Sequence, residues 1–307
     1  DRAALAAAAA AAAGADLVFP TGVYRIDRAL SLPAGVNCVF ANGAILRPGR
    51  GATVTISGTV AAGYFRIFDI SGGGTVVLAR HHEFNPFWWG ATGDGSTDDT
   101  AALQAALDAA VAGNLGGTVV LPIGVFVTTG ITVHSRTNLV GSGVGGKGQG
   151  TQLRLKNRAD SNVITMAADN SGPTASHHWS LLSNFTIDGN LANNTIGNGI
   201  YLEGYIGENC TLDRIQITSC AENGVYVLGG SVPCNWRDIH VFANGGAGVK
   251  LERQRGFGWD STVLNMISGD DNATALLHFR NIGSGPIVLA GVKAESNTAG
   301  KQQNAIL

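Results

Sequence analysis

The chain has 307 residues, a formal net charge of −2, only 14% charged residues and 44 glycines. This length is enough to bury a large core, and the near-neutral charge argues against a nucleic-acid-binding protein. The apolar run 6–13 is too short to span a bilayer, so no membrane insertion is expected.

The first part of the chain predicts an Ala-rich helix followed by short strands. Ala3–Ala13 favours a helix because alanine has the highest helix propensity, which argues against a flexible tail. Leu17–Tyr24 is a strand, a Pro-Gly turn and a second strand, and further short apolar runs follow. Residues 1–84 are therefore predicted to form a small first β-helix or head.

The next stretch predicts a tight turn, one short helix and then only strands. Gly90–Thr97 is a turn because glycine supplies positive φ and Asp and Ser compete for the backbone. Thr97, Asp98 or Asp99 is expected to cap the helix, which then presents an apolar face. Gly116-Gly117 ends it and leads into a buried strand at Thr118–Leu121 and, after a turn, a second strand at Val125–Val127.

This stretch resembles the start of the pectate-lyase-like superfamily of right-handed parallel β-helices. The matching segments are Trp89-Gly90-Ala91-x-Gly93-Asp94-Gly95-x-Thr97-Asp98-Asp99-Thr100, Ala101-x-Leu103-Gln104-Ala105, Leu121-Pro122-x-Gly124-x-Phe126 and Leu139-x-Gly141-x-Gly143. The superfamily includes polysaccharide lyases, glycoside hydrolases, epimerases and phage tailspikes, so the resemblance implies a fold and a polysaccharide partner rather than one reaction.

From residue 180 onward, two families of short strands recur in steps of 24 to 30 residues, about one rung of a three-sided coil. The first family is Phe185–Ile187, Ile215–Ile217, Ile239–Val241, Met266–Ser268 and Val292–Ala294. The second is Ile200–Leu202, Val225–Val227, Val249–Leu251 and Leu277–Phe279. Alternation along each strand separates inward from outward residues, and each rung pairs with the next.

The same register predicts two inward stacks of side chains. An asparagine ladder is expected from Asn190, Cys220, Asn244, Asp271 and Asn297. Cys210 and Cys234 are expected to be small, reduced residues inside the coil, because stacked strands rarely give disulfide geometry.

Outward residues form straight rows about 4.8 Å apart, a spacing suited to reading successive sugars. The second family places Tyr201, Tyr226, Lys250 and His278 in one row and Glu203, Leu228, Glu252 and Arg280 beside it. The first family places Thr186, Gln216, His240, Ile267 and Lys293 in one row and Asp188, Thr218, Phe242, Gly269 and Glu295 beside it.

Hydrolysis needs two carboxyl groups about 5 to 9 Å apart. The candidate catalytic acids are Asp188, Glu203, Glu252, Asp270 and Asp271. Glu203 and Glu252 lie two rungs apart, roughly 10 Å, which is slightly long for the pair. A turn or ladder role competes for the others, since Asp188 precedes Gly189 and Asp271 belongs to the predicted ladder.

Elimination needs a base near the sugar C5 proton and a cation on the neighbouring carboxylate. The candidate substrate-binding residues are Tyr201, Tyr226, His240, Lys250, Arg253, Arg255, Trp259 and His278. Arg253, Arg255 and Trp259 form the expected acidic-sugar contact, with a solvated loop as the alternative. Asp94, Asp98 and Asp99 are better explained by caps and turns than by calcium, so no metal and no cofactor are expected.

The fold class expected is therefore all-β: a right-handed single-stranded parallel β-helix with short N-terminal capping helices. Residues 85–307 are predicted to be the main coil, truncated at the C-terminus, in a fragment of a longer fibrous protein. Two functions remain open, a polysaccharide depolymerase acting by hydrolysis or elimination, and a non-catalytic glycan-binding or structural β-helix. The resemblance implies an extracellular or virion-associated protein, plausible as a phage tailspike, and a homotrimer.

Overall fold

The computed structural model describes residues 2–79, 83–112, 116–145, 149–169, 176–231, 234–254, 256, 258–259, 262–282, 286–295 and 304–307. The chain divides into two compact units, Asp1–Thr92 with Ala101–Val120, and Gly93–Thr100 with Leu121–Leu307. The predicted division between residues 84 and 85 stays a prediction.

The first unit begins with a helix and continues as short parallel strands. Its elements are α1 Arg2–Ala11, β1 Asp16–Phe19, β2 Gly22–Ile26, β3 Leu30–Leu32, β4 Asn37–Phe40, β5 Ala44–Pro48, β6 Thr53–Ile56, β7 Val60–Ala61, β8 Thr75–Leu78, β9 Glu83–Phe84 and the 3-10 helix Pro86–Trp89. The strands form three parallel sheets with the orders β1-β4-β7, β2-β5 and β3-β6-β8. Buried and exposed residues alternate along them, and Phe19 stacks on Phe40 with ring centroids 4.5 Å apart.

The next elements along the chain are β10 Asp94–Asp98, α2 Thr100–Val111 and β11 Gly117–Leu121. Asp98 Oδ1 accepts the backbone N–H of Thr100, the first residue of α2, at 3.1 Å. Leu103, Ala106 and Leu107 are buried, as the apolar pattern predicts.

The second unit contains the remaining strands. They are β12 Gly124–Thr128, β13 Ile131–Val133, β14 Thr137–Gly141, β15 Thr151–Leu155, β16 Ile164–Met166, β17 Ser176–His177, β18 Leu181–Asp188, β19 Ile200–Ile206, β20 Thr211–Thr218, β21 Val225–Ser231, β22 Cys234–Phe242, β23 Val249–Arg253, β24 Thr262–Asp270, β25 Ala275–Arg280, β26 Ile287–Ala290, β27 Lys293–Glu295 and β28 Asn304–Ile306. A second 3-10 helix covers Leu191–Asn193.

The strands of the second unit stack in parallel along two continuous orders. One sheet contains β12-β15-β18-β20-β22-β24-β26, and the other contains β13-β16-β19-β21-β23-β25-β28. Each strand inside these orders pairs with the strand one rung earlier and the strand one rung later. The right-handed parallel β-helix and its short helices are thus confirmed.

The long strands β18, β20, β22 and β24 each contain one sharp bend. The bends lie at Asn184, Arg214, Asp238 and Met266, which have φ values of 61°, 50°, 53° and 55°. In this left-handed conformation each residue turns the strand between two sides of the coil. One strand therefore serves two sides, which accounts for a three-sided rung built from two sheets.

The bend at Met266 corrects one predicted row. Ser268, not Ile267, pairs with His240 and then with Lys293, and Asp270, not Gly269, pairs with Glu295. Ile267 instead pairs with Ile239 inside the coil and is fully buried. The predicted row was misplaced by one residue because the apolar side chain of Met266 is typical of a strand, whereas its backbone forms the bend.

The asparagine ladder also differs from the prediction. Asn272, not Asp271, continues the stack. Its Oδ1 accepts a hydrogen bond from Nδ2 of Asn244 at 2.8 Å, and Asn244 Oδ1 accepts one from the backbone N–H of Cys220 at 2.9 Å. Asp271 has a left-handed φ of 51° and lies at the turn before it. Asn297 lies outside the described residues.

A second ladder was not predicted. Asn162 Oδ1 accepts hydrogen bonds from the backbone N–H and from the side-chain Nδ2 of Asn198. Asn198 Oδ1 accepts the same two bonds from Asn223, and all four distances are 2.9 to 3.0 Å. Asn223 Oδ1 then accepts the backbone N–H of Ala247 at 2.9 Å. This ladder closes the turn before the strands of the second sheet over four rungs.

Cys210 and Cys234 are buried free thiols, as predicted. Burial raises the pKa of Cys210 to about 12 and the pKa of Cys234 to about 11. Both therefore act as small apolar residues of the core.

Candidate functional site

The outward side chains of β19, β21, β23 and β25 form one continuous polar surface. Tyr201, Tyr226, Lys250 and His278 are register partners on successive strands, and Glu203, Leu228, Glu252 and Arg280 form the adjacent row. Both predicted rows are confirmed. We call this surface the tyrosine face.

Glu252 is the centre of the tyrosine face. Its Oε2 accepts a hydrogen bond from the Tyr226 hydroxyl at 2.9 Å and lies 3.0 Å from Lys250 Nζ. Its Oε1 lies 3.3 Å from a terminal nitrogen of Arg280. One carboxylate therefore holds a phenol and two cations from three neighbouring strands.

Lys250 makes a second contact within this cluster. Its Nζ lies 4.3 Å from the centre of the Tyr226 ring, a cation–π arrangement. The side chains of Lys250 and Glu252 are only 18% and 14% exposed, whereas Arg280 is 60% exposed. The pair is fixed within the surface, and the arginine head remains open to solvent.

The charge state of Glu252 follows from these partners. Partial burial opposes ionisation, but the hydrogen bonds from Lys250 and Tyr226 and the charges of Lys250 and Arg280 outweigh it and lower the pKa of Glu252. The carboxylate is therefore ionised at neutral pH.

The pKa values of the two tyrosines are raised, whereas that of Glu252 is lowered. Burial, together with the carboxylate of Glu203, raises the pKa of Tyr201 to about 12, and Tyr201 donates to Glu203 Oε2 at 3.2 Å. Burial and the carboxylate of Glu252 raise the pKa of Tyr226 as well. Both phenols keep their protons at neutral pH, and each donates its one O–H hydrogen to a carboxylate, that of Glu203 or Glu252. Their rings lie 5.6 Å apart.

The other candidate acids do not join this cluster. Asp188 lies in β18 and Asp270 in β24, three strands apart in the other sheet. Asp188 accepts a hydrogen bond from the backbone N–H of Asn190 at 2.9 Å, and burial raises its pKa. Glu203 lies two rungs from Glu252 in the same row. Apart from the chain neighbours Asp270 and Asp271, no two of the predicted acids lie on adjacent strands of one sheet.

The remaining predicted binding residues are dispersed. His240 lies on β22, where its Nδ1 is 3.0 Å from Ser268 Oγ. Arg253 ends β23 and is exposed, whereas Trp259 is only 6% exposed and its ring is not available for stacking. Arg255 lies outside the described residues.

The acidic turn before α2 is explained by its own hydrogen bonds. Asp94 accepts the backbone N–H groups of Ser96 and Thr97, both at 2.7 Å, and both of their hydroxyls. In the part of the chain that the structure describes, no group of three or more His, Cys, Asp or Glu residues is arranged to hold a metal ion. Within the same ranges, no helix is long and apolar enough to cross a membrane.

The sequence matches a known family over most of this coil. Residues 88–301 match the family described as rhamnogalacturonase A/epimerase, pectate lyase-like. The chain belongs to this family. The predicted superfamily resemblance is thereby confirmed.

Two relatives from Azotobacter vinelandii resemble part of this rhamnogalacturonase A/epimerase-family chain. Mannuronan C5-epimerase AlgE3 is 31% identical over 195 residues, which is 59% of this chain and 10% of that protein. Alginate lyase 7 is 32% identical over 197 residues, which is 59% of this chain and 22% of that protein. The match thus spans between a tenth and a quarter of the length of these relatives.

A solved structure agrees on the fold. ORF18 of Geobacillus virus E2 superposes with a TM-score of 0.55 at 20% identity, covering 68% of this chain and 40% of that one. At this identity the likeness concerns the fold alone.

Sequence reasoning missed one member of the cluster and one relationship. The sequence predicts the row position of Arg280 but not its part in the cluster, although it stands two positions after His278 on the same strand. The sequence predicts Tyr226 and Glu252 as separate contacts, whereas they are hydrogen-bonded across adjacent rows. A diagonal contact of this kind depends on side-chain conformation, which the register alone does not specify.

Proposed function

We propose that the tyrosine face binds an acidic polysaccharide and that the protein cleaves it by β-elimination at a uronic acid residue. The observation that carries this proposal is the Glu252 cluster, in which one ionised carboxylate holds a protonated phenol and two cations on an outward face. The names of the relatives, which include epimerases and a lyase of uronate polymers, support the same substrate class.

Binding would follow the stacked strands. Successive rungs are about 4.8 Å apart, so one polymer lying along the coil axis would meet Tyr201, Tyr226, Lys250 and His278 in turn. Tyrosine rings offer flat apolar surfaces for the C–H face of a sugar. Arg280 is 60% exposed, and a guanidinium carries five N–H donors, so it has donors left for a substrate carboxylate.

Each residue of the cluster is assigned one part of the elimination. Arg280 and Lys250 pair with the uronate carboxylate, which makes the C5 proton more acidic. His278, one rung from Lys250, removes this proton as general base. The electron pair of the C5–H bond forms a C4=C5 double bond, and the C4–O bond breaks. The Tyr226 hydroxyl turns from Glu252 to the departing glycosidic oxygen and donates its proton there, which leaves a phenolate beside Lys250.

Glu252 has a positioning role in this scheme. It orients the Tyr226 hydroxyl, Lys250 and Arg280 through three separate contacts. Hydrolysis has weaker support because Glu203 and Glu252 are two rungs apart, about 10 Å, beyond the usual separation of a carboxyl pair.

The test uses polymannuronate, polygalacturonate and a neutral glucan as substrates. Elimination creates new reducing ends and, with them, the ultraviolet absorbance of a double bond conjugated to a carboxylate. Tyr226→Phe should lower the rate about 10²- to 10⁴-fold, the range for loss of a general acid, without abolishing binding. Tyr64→Phe, at a tyrosine that is 70% exposed in the first unit, is the matched control.

The outcomes separate the competing functions. New ends without the absorbance would mean hydrolysis, and exchange of the C5 proton without new ends would mean epimerisation. Binding with neither reaction would favour a glycan-binding β-helix. Equal cleavage by the Tyr226→Phe and Tyr64→Phe variants would refute the role given to Tyr226.

The proposals on assembly and location rest on the superfamily resemblance. We infer a homotrimer that acts outside the cell or on a virion, as in tailspikes of the same fold. Sedimentation that finds a stable monomer at micromolar concentration would remove the trimer.

A further inference from the structure

A separate groove lies on the other sheet of the second unit. It has a volume of about 530 Å³, and its polar lining includes Ser96, Arg154, Lys156, Asn157, Asp188 and Asn193. These residues come from β10, from β15 and its exit, and from β18 and the turn after it. The tyrosine face is built from β19, β21, β23 and β25, so the two surfaces belong to different sheets. We call this cavity the Asp188 groove.

Asp188 is fixed at the wall of the groove. Its Oδ1 accepts the backbone N–H of Asn190 at 2.9 Å, and its Oδ2 accepts Nε2 of Gln152 at 3.2 Å. Gln152 is itself only 8% exposed, so the contact is anchored from within the fold. A carboxylate has about four acceptor positions, and these two bonds leave others for a ligand hydroxyl.

Two cations stand beside this carboxylate. Arg154 on β15 is the register partner of Asp188. One of its terminal nitrogens donates a hydrogen bond to the Gly95 carbonyl. Lys156 Nζ lies 3.0 Å from Asp98 Oδ2, and its side chain is 50% exposed. A guanidinium has five N–H donors and an ammonium three, so both retain donors beyond these contacts.

A chain of amides completes the wall. Asn193 Nδ2 donates to Asn190 Oδ1 at 2.8 Å, and Asn190 Nδ2 donates to Asn157 Oδ1 at 2.8 Å and to the Leu155 carbonyl at 3.0 Å. These bonds orient three amides relative to one another before any ligand arrives. Preorganised amides and carboxylates are the groups that pair with sugar hydroxyls, and Arg and Lys pair with a carboxylate.

We propose that the Asp188 groove is a second carbohydrate site, which takes a uronic acid residue. Arg154 and Lys156 bind its carboxylate, and Asp188 and the amides bind its hydroxyls. The volume lies within the range of small-ligand sites, about 300 to 1,000 Å³. The inference rests on the proposed function, because both surfaces would hold the same class of polymer. It adds a polymer contact on a different sheet from the tyrosine face.

The experiment is calorimetric titration with a mannuronate trisaccharide as a short probe of each surface. The wild-type protein should bind two trisaccharides. Lys156→Gln should weaken one site at least about 10-fold, because a charge-assisted hydrogen bond is lost, and Asn193→Ala should weaken the same site. Lys293→Gln is the matched control, since Lys293 is also an exposed lysine paired with a carboxylate, Glu295, at 2.7 Å, but lies outside the groove.

Lys250→Gln on the tyrosine face separates this inference from the proposed function. Loss of one site in Lys156→Gln and of the other in Lys250→Gln supports both. Loss only in Lys250→Gln overturns the groove alone, and loss only in Lys156→Gln overturns the tyrosine face alone. A wild-type protein that binds no trisaccharide overturns both. Equal binding of the carboxyl-reduced, neutral trisaccharide by the groove overturns the uronate assignment.

Discussion

Replacing Glu252 by glutamine removes the negative charge that holds Tyr226, Lys250 and Arg280 together. Glutamine has nearly the same shape and keeps an amide oxygen as an acceptor. The substitution therefore isolates the charge of this side chain from its volume. It tests whether the cluster is held electrostatically.

The expected loss of stability follows from the exposure of each partner. Lys250 and Glu252 are 18% and 14% exposed, so the lysine loses a largely buried counter-charge, at about 2 kcal/mol, below the 3 to 5 kcal/mol of a fully buried pair. The Tyr226 hydrogen bond loses its charge assistance, about 1 kcal/mol. Arg280 is 60% exposed and contributes well under 1 kcal/mol. The sum is about 3 kcal/mol at pH 7.

The effect depends on pH with a defined sign. The pKa of Glu252 is lower in the folded protein than its ordinary value of 4.5, so its stabilisation is fully present above that value and is lost as the pH falls below it. The free-energy difference between the wild type and the Glu252→Gln variant should therefore be largest at neutral pH and shrink below about pH 4.5. Urea unfolding of both proteins from pH 7 to pH 3 measures this difference.

Glu203→Gln is the matched control for this measurement. Glu203 is exposed and accepts one hydrogen bond, from Tyr201, so its substitution should cost less than about 1 kcal/mol. If Glu252→Gln were no more destabilising than Glu203→Gln at pH 7, or if its effect did not change with pH, the electrostatic account of the cluster would be wrong.

Two further predictions concern the interior of the coil. Asn223→Ala should destabilise the protein by about 1 to 3 kcal/mol, because the buried N–H of Ala247 loses its acceptor. Asn193 is exposed, so Asn193→Ala should cost less. Urea unfolding compares the two variants, and equal losses of stability would mean that the second ladder does not stabilise the coil. His177 is fully buried, and burial lowers its pKa to about 4. The unfolded chain therefore binds this proton more readily than the folded protein does, and stability should be lost as the pH falls from 6.5 towards 4. An NMR titration midpoint of His177 near 6.5 would contradict this.

Much of the tyrosine face was predictable from the sequence. The four residues of its first row lie within strands whose apolar pattern recurs at a nearly constant step, and parallel pairing places them side by side: Tyr201, Tyr226, Lys250 and His278. No knowledge of side-chain contacts is needed for this inference. It depends only on which residues of each strand point inward.

The predicted register failed at one of the four bent strands, β24. Met266 has a left-handed φ of 55° and is the bend itself, so the outward residues are Ser268 and Asp270, two and four positions after it, rather than Ile267 and Gly269. The equivalent bends fall on Asn184, Arg214 and Asp238, so no single residue type marks the position. Apolar periodicity cannot locate a bend that unrelated residues share.

The amino-acid sequence by itself determined the coil, its rung length and the rows of its second strand family, because inward apolar residues must repeat wherever one rung covers the next. Only the tertiary structure decided that Glu252 gathers Tyr226, Lys250 and Arg280, while Asp188 is held on another sheet beside Arg154. These contacts run diagonally between rows or across bends. Their geometry depends on side-chain conformation and left-handed backbone positions, which a linear repeat does not encode.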